Sequence, residues 1–278
     1  MTIAVTGAAG QLGRLVVRAL ERLGADKIVA VARTPERAGD LGVEVRQGDY
    51  DDPESLLSAF SGVDRLLLIS GTAHGARIAQ HTNAIHAAER ANVQFVAYTS
   101  LMFDVPTAQS PFGEHRVTEA LIDESPIPHT VLRNGWYWEN YLTGLDQIVA
   151  SGVLYGAAGD GRVAGAARID FAEAAAHVLL TNGHDDRTYQ LGSDERVTHA
   201  ELAALIAEVS GRPVRYENLS APAYLELLEQ QLPTESAETL AAVQHGVAGG
   251  LLDVTTGDLA KLIGRPPTRL GDVLRSAF

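Results

Sequence analysis

Three glycines recur at equal spacing near the start of the chain: Gly7, Gly10 and Gly13 in Thr6-Gly7-Ala8-Ala9-Gly10-Gln11-Leu12-Gly13. Glycine costs roughly 0.5–1 kcal/mol relative to alanine inside regular structure, so a cluster needs a physical use. A strand leading in and a helix leading out supply one. The first glycine permits a tight turn, the second lets a phosphate approach the backbone, and the third lets the helix close on the sheet. Unpaired N–H groups at the helix start, together with the helix dipole, then favour a pyrophosphate. A glycine-rich turn that binds nothing is the plainer reading of the same residues.

The residues after the second strand bear on which dinucleotide would bind. NAD sites place an acid there, against the ribose 2′-hydroxyl. Here Ala30-Val31-Ala32-Arg33-Thr34 has none. The planar fork of Arg33 can pair instead with a 2′-phosphate, which points to NADP. The alternative is a solvated surface arginine. Asp49, at the end of the third strand, can accept from the adenine amine or serve the turn that follows it.

Both tryptophans fall in one stretch, Asn134-Gly135-Trp136-Tyr137-Trp138-Glu139-Asn140-Tyr141. It follows the sixth expected strand, at the edge where open α/β sheets bind ligands. Flat aromatic faces suit a flat ligand by offset stacking. They can equally anchor one part of the chain to another. Asn134 and Asn140 offer polar contacts, or turn and cap duty.

The elements that must position these residues are legible as short apolar runs alternating with helical spacing. Strands are expected at 2–7, 27–33, 43–50, 64–70, 94–100 and 128–135. Leu12, Leu15, Val16, Ala19, Leu20 and Leu23 define a helix that Gly24 ends. Asp52 and Pro53 read as the cap and first residue of another. Helices follow at 76–91 and 113–124. Continuous apolar strands alternating with helices imply an α/β fold, a doubly wound parallel sheet of the Rossmann, NAD(P)-binding type. The expected division is a nucleotide-binding domain over 1–150 and a smaller, mostly helical substrate lobe over 151–278. Segment 187–192 is a candidate strand returning to the main sheet.

With 278 residues, 46% of them hydrophobic and 21% charged, the composition suits a soluble enzyme. A net charge of −13 argues against nucleic acid as a partner. The absence of cysteine excludes disulfides, thiolate chemistry and Cys-ligated metals. His81 and His86 stand five apart, off the i, i+4 spacing of a helical zinc pair, so no metal is expected. No secretory pattern and no apolar run of ~18 residues is present, so the expected location is cytoplasmic, without membrane insertion.

The motifs together resemble the NmrA-like, atypical short-chain dehydrogenase/reductase family, most of all its bacterial NADPH-dependent quinone reductases. The residues that carry this are TGAAGQLG, Arg33, GDY at 48–50, YTS at 98–100, and LRNGWYWENY at 132–141. The likeness spans essentially the whole chain. It implies NADPH along the carboxyl ends of the strands, with Thr6 to Gln11 and Arg33 at the adenosine phosphates. It implies Ser70, Gly71 and Thr72 alongside the cofactor and Gly135 to Asn140 around the nicotinamide, with Arg168 near the phosphates or the lobe interface. Quinone reduction in a homodimer is also implied.

One departure matters. Conventional members of the superfamily use Ser, Tyr and Lys, the last two as Y-x-x-x-K, to protonate a carbonyl oxygen. Ser100 stands where the serine would, but no Y-x-x-x-K occurs. Aligned on Glu119, His115 takes the lysine position and Pro111 that of the tyrosine. A quinone relaxes the demand, because its reduced form is an aromatic hydroquinone anion, a far weaker base than an alkoxide. Ser100, His115, Asn134 and Tyr137 are the candidates for touching the acceptor. His115 can donate a proton or only contact ribose. Ser100 can bind a quinone oxygen or only satisfy backbone. A protein that senses NADP(H) without turnover is the alternative from a different class.

Overall fold

The computed structural model describes residues 1–102 and 112–278. The chain forms two compact units. The first comprises 1–134, 168–191 and 258–265; the second comprises 135–167, 192–257 and 266–278.

In the first unit, seven strands form one parallel sheet. They are β1 (Thr2–Val5), β2 (Lys27–Ala32), β3 (Glu44–Gln47), β4 (Arg65–Ile69), β5 (Phe95–Leu101), β6 (His129–Asn134) and β9 (Arg187–Leu191). Their order is β3-β2-β1-β4-β5-β6-β9. The reversal of direction at β1 and β4 is the doubly wound topology expected from the sequence. Segment 187–191 pairs with β6, in register from Thr130 with Arg187 to Asn134 with Leu191. A parallel partner needs a crossover, and α6 (Arg168–Leu180) belongs to the same unit as both strands. The units are therefore interleaved along the chain.

Helices cover both faces. Ala4, Leu66, Leu68, Val96 and Tyr98 point to one side and meet Leu56, Ala84, Ala88 and Ile122. Those residues come from α2 (Pro53–Ala59), α3 (Arg77–Arg90) and α4 (Gly113–Asp123). The alternate residues Ile3, Val5, Leu67 and Ala97 are also fully buried, on the side of α1 (Gln11–Arg22) and α6. Alternating burial on both faces is why these strands read as unbroken apolar runs. Each fully buried leucine or isoleucine contributes about 1.5–3 kcal/mol. The α6 face is built from Ala172, Ala174, Ala175 and Ala176, which lets α1 approach closely. Asp52 caps α2 by accepting from the Glu54 and Ser55 amides, with Pro53 at the first helical position.

The second unit is mainly helical. It holds α5 (Leu145–Ser151), α7 (His199–Ser210), α8 (Ala221–Glu229), α9 (Thr234–Ala248) and α11 (Leu270–Arg275). Two small ribbons join them, β7 (Val153–Gly156) with β11 (Arg215–Asn218) and β8 (Arg162–Val163) with β10 (Val197–Thr198). Helix α10 (Asp258–Ile263) returns to the first unit, where Asp258 accepts from the Gln190 amide. Among the described residues, no helix is long and apolar enough to cross a membrane.

Candidate active site

The glycine loop leaves β1 at Thr6. The Thr6 amide and hydroxyl both donate to the Leu67 carbonyl, at 3.0 and 2.9 Å, and the hydroxyl oxygen accepts from the Ile69 amide. The Tyr50 hydroxyl lies 2.6 Å from both Thr6 Oγ1 and the Ile69 carbonyl. Thr6 is thus consumed in fixing the loop to β4. Gly7 turns the chain with a positive φ of 59°. The Ala8 amide then donates to the Val31 carbonyl and the Gly10 amide to the Gly7 carbonyl. A Cβ on Gly13 would sit 2.4 Å from the Gly7 oxygen, so only glycine fits there. Leu12 is buried and Gln11 exposed, while Ala9 accepts from Arg14 Nε. No side chain caps α1, so no side-chain oxygen takes up its leading amides.

Arg33 follows β2 directly. It is exposed and makes no ion pair among the described residues. Asp49 spends one carboxylate oxygen on the Asp51 amide, and its own amide donates to Ser55, so it carries turn duty.

Past β4, the Ser70 amide donates to Thr99, Thr72 is exposed, and the Gly71 peptide is clamped from both sides. Its N–H donates to His81 Nε2 at 3.0 Å, and its carbonyl accepts from Arg77 Nε at 2.8 Å. Because Nε2 accepts, the His81 proton resides on Nδ1, 2.9 Å from Thr118 Oγ1. Arg77 forms a buried ion pair with Glu114 at 2.9 Å, and Glu114 also accepts from the Gly75 amide. Burial, followed by the Arg77 charge, pushes His81 down to about 3. His81 therefore holds a loop as a neutral ring, a role its sequence neighbours do not reveal.

Ser100 and His115 occupy unexpected surroundings. The Ser100 hydroxyl donates to Glu119 Oε1 at 2.5 Å. Glu119 is buried and also takes Arg133 at 2.6 Å and Arg116. The Ser100 proton is thus committed inside the protein. His115 Nδ1 lies 2.9 Å from the Tyr98 hydroxyl, with both rings buried. Burial first, then Arg77, pushes His115 down to about 3, so it carries no imidazolium proton near pH 7. Burial likewise raises Tyr98, which keeps its proton. Pro111 lies outside the described residues. Asn134 ends β6, buried, and its carbonyl accepts from the Met102 amide at 3.0 Å. Arg168, half-buried, opens α6 in the same unit.

Thr6, Arg33, Ser70, Ser100 and Asn134 thus lie at the carboxyl ends of β1, β2, β4, β5 and β6, which are neighbours in the sheet. The aromatic stretch belongs to the second unit. Gly135 is buried there, and Trp138 is 0% exposed. The Trp138 amide donates to the Ala166 carbonyl, and the Ala166 amide to the Trp136 carbonyl. The Asn140 amide donates to the Tyr137 carbonyl in a short 3-10 turn. Trp136, Tyr137, Glu139 and Asn140 are half-buried, so Trp138 anchors the turn while its neighbours reach the surface.

The NmrA-like family profile matches residues 1–250. The chain belongs to the NmrA-like family. Among relatives of known function, this NmrA-like protein is 44% identical to Quinone oxidoreductase 2 of Escherichia coli K12, over 99% of this chain and 98% of that protein. Its fold is similar to a crystal structure of the Escherichia coli NADPH-dependent quinone oxidoreductase complexed with NADPH. The TM-score is 0.93 at 42% identity, covering 99% of each chain. A Citrobacter triphenylmethane reductase complexed with NADP(H) matches with a TM-score of 0.92 at 39% identity, over 99% of this chain and 100% of that one. The family and the doubly wound NmrA-like fold read from the sequence are borne out.

Proposed function

We propose that this chain is an NADPH-dependent quinone reductase that works without a Tyr-Lys relay. The observation that carries the reading is a contrast within the first unit. The glycine loop keeps the close packing at Gly13 that a dinucleotide turn needs, whereas the Ser100 proton is committed to Glu119 and His115 is neutral and buried. The full-length identity to Quinone oxidoreductase 2 supports the same activity.

In this reading the amides from Gly7 to Gly13 hold the pyrophosphate, and Arg33 pairs with the 2′-phosphate. Ser70, Gly71 and Thr72 line the cofactor, their backbone set by His81 and Arg77. NADPH, when bound, supplies the reducing hydride. The chain's part is to hold a flat acceptor in place and exclude competing geometries, which is proximity and orientation catalysis. Trp136 and Tyr137 offer flat faces for that ring, and Asn134 and Asn140 offer polar groups to it. The product anion is weakly basic, so its proton comes from water. We place the enzyme in the cytoplasm, as a homodimer, which light scattering tests.

Titrations of NADPH and NADH against the wild type and Arg33→Asp test the cofactor assignment. The reading expects a loss confined to NADPH; equal losses for both overturn it. The same committed Ser100 and neutral His115 also suit a sensor that binds NADP(H) without turnover. Tight binding of the oxidised cofactor with no quinone reduction would favour that second reading.

A further inference from the structure

Three N–H groups in the second unit meet no acceptor among the described residues. The Gln244 side chain fixes the first. Its Oε1 accepts from the Ala157 amide at 3.1 Å, so its Nε2 is the atom facing His199 Nε2 at 3.0 Å. An amide nitrogen donates, so His199 Nε2 accepts and the ring proton sits on Nδ1. The ring is neutral near pH 7, because burial pushes it down to about 4. His199 Nδ1 is buried with no hydrogen-bond partner. The indole nitrogens of Trp136 and Trp138 share that condition. A buried donor that lacks a partner is a cost that a ligand acceptor can relieve.

All three rings meet Tyr141. Its centroid lies 6.3 Å from Trp136, 6.2 Å from Trp138 in a stacked arrangement, and 5.9 Å from His199 at a right angle. The Tyr141 hydroxyl makes no hydrogen bond among the described residues, so no such bond holds this ring in place. Trp136 and Tyr141 are half-buried; Trp138 and His199 are closed behind them. Unpaired groups that only donate, set among flat faces, select a ligand that is flat and only accepts. Water fits poorly, since its own two protons would find no acceptor among these groups. A quinone offers two carbonyl oxygens on a planar ring.

We propose that the rings around Tyr141 form the acceptor subsite, in which His199 Nδ1–H and the indole N–H groups of Trp136 and Trp138 bind quinone carbonyl oxygens. The assignment rests on the quinone-reductase reading and names the residues that touch the substrate. Binding there moves Tyr141 aside and pairs the donors.

The chain has two tryptophans and both belong to the subsite, so intrinsic fluorescence reports on it directly. The full-length protein is titrated with 1,4-naphthoquinone and with naphthalene, the same ring system without oxygens. The expected result is saturable quenching by the quinone, which binds about tenfold more tightly than naphthalene. His199→Phe should remove that preference, with NADPH affinity unchanged. Trp136→Phe, at a half-buried ring, should reduce it as well and serves if the His199 variant fails to fold. Unsaturable quenching, or a quinone preference retained in these variants, overturns the subsite. Failure of the two readings is separable. A His199-dependent quinone site in a protein that never oxidises NADPH keeps the subsite and removes the reductase. Equal kcat/KM for quinone in the wild type and both variants removes the subsite and keeps the reductase.

Discussion

The Ser100 hydroxyl donates to the Glu119 carboxylate at 2.5 Å, in a site where Glu119 also receives Arg133 and Arg116. A hydroxyl with its proton so engaged cannot donate it to a substrate oxygen without first leaving a charged acceptor. Ser100→Ala should therefore lower quinone kcat/KM by much less than the 10²–10⁴-fold attached to a general acid. Glu119→Gln should act on stability instead, costing on the order of 3 kcal/mol by leaving two guanidinium groups without their carboxylate. Steady-state kinetics and thermal melts of the two variants check this. A hundredfold loss in Ser100→Ala would return the serine to the chemistry.

The close approach of Gly13 to Gly7 gives the second prediction. A methyl group at residue 13 would overlap the Gly7 carbonyl and Ala8 Cα at 2.4 and 2.7 Å. The neighbours are backbone, so the strain cannot be relieved by rotating a side chain. Gly13→Ala should destabilise the protein by about 1–3 kcal/mol and displace the loop amides. Melting with and without NADPH separates the two effects. The variant should melt lower and gain little from the cofactor, whereas full stabilisation by NADPH would mean that the loop does not hold it.

Acid should unfold the protein through buried histidines. His81, His115 and His199 are held near 3, 3 and 4 by burial, against about 6.5 in an unfolded chain. Below pH 6.5 the unfolded state binds protons that the folded state refuses, so stability rises with pH across this window and is complete above it. Each histidine forfeits on the order of 1 kcal/mol per pH unit as the pH falls below 6.5. Melting temperatures between pH 7 and 4.5 check this. The slope should ease in His81→Gln, where an amide replaces the imidazole; an unchanged slope would mean that His81 titrates normally in the fold.

How far the sequence discloses this site follows from the range of the interactions. The glycine loop, the missing acid after β2 and the Asp52 cap are local, and each is legible within a few residues. The strands are legible because β1, β4 and β5 are buried on both faces. The clamp on Gly71 is different: His81 reaches it across ten residues, and Arg77 finds Glu114 across thirty-seven. His81 and His115 carry no local signal, since only the adjacency of β4, β5, α3 and α4 brings their partners to them. The same holds for His199 and Gln244, forty-five residues apart. The placement of Arg168–Leu191 and Asp258–Arg265 with the first unit likewise rests on sheet pairing, which apolar periodicity does not specify.

Initial-rate oxidation of NADPH by 1,4-naphthoquinone, followed through the near-ultraviolet absorbance of the cofactor with NADH in parallel, tests the central claim most directly. The account predicts protein-dependent oxidation that is faster with NADPH, and loss of that preference in Arg33→Asp. Tight NADPH binding with no oxidation across several quinones would contradict it.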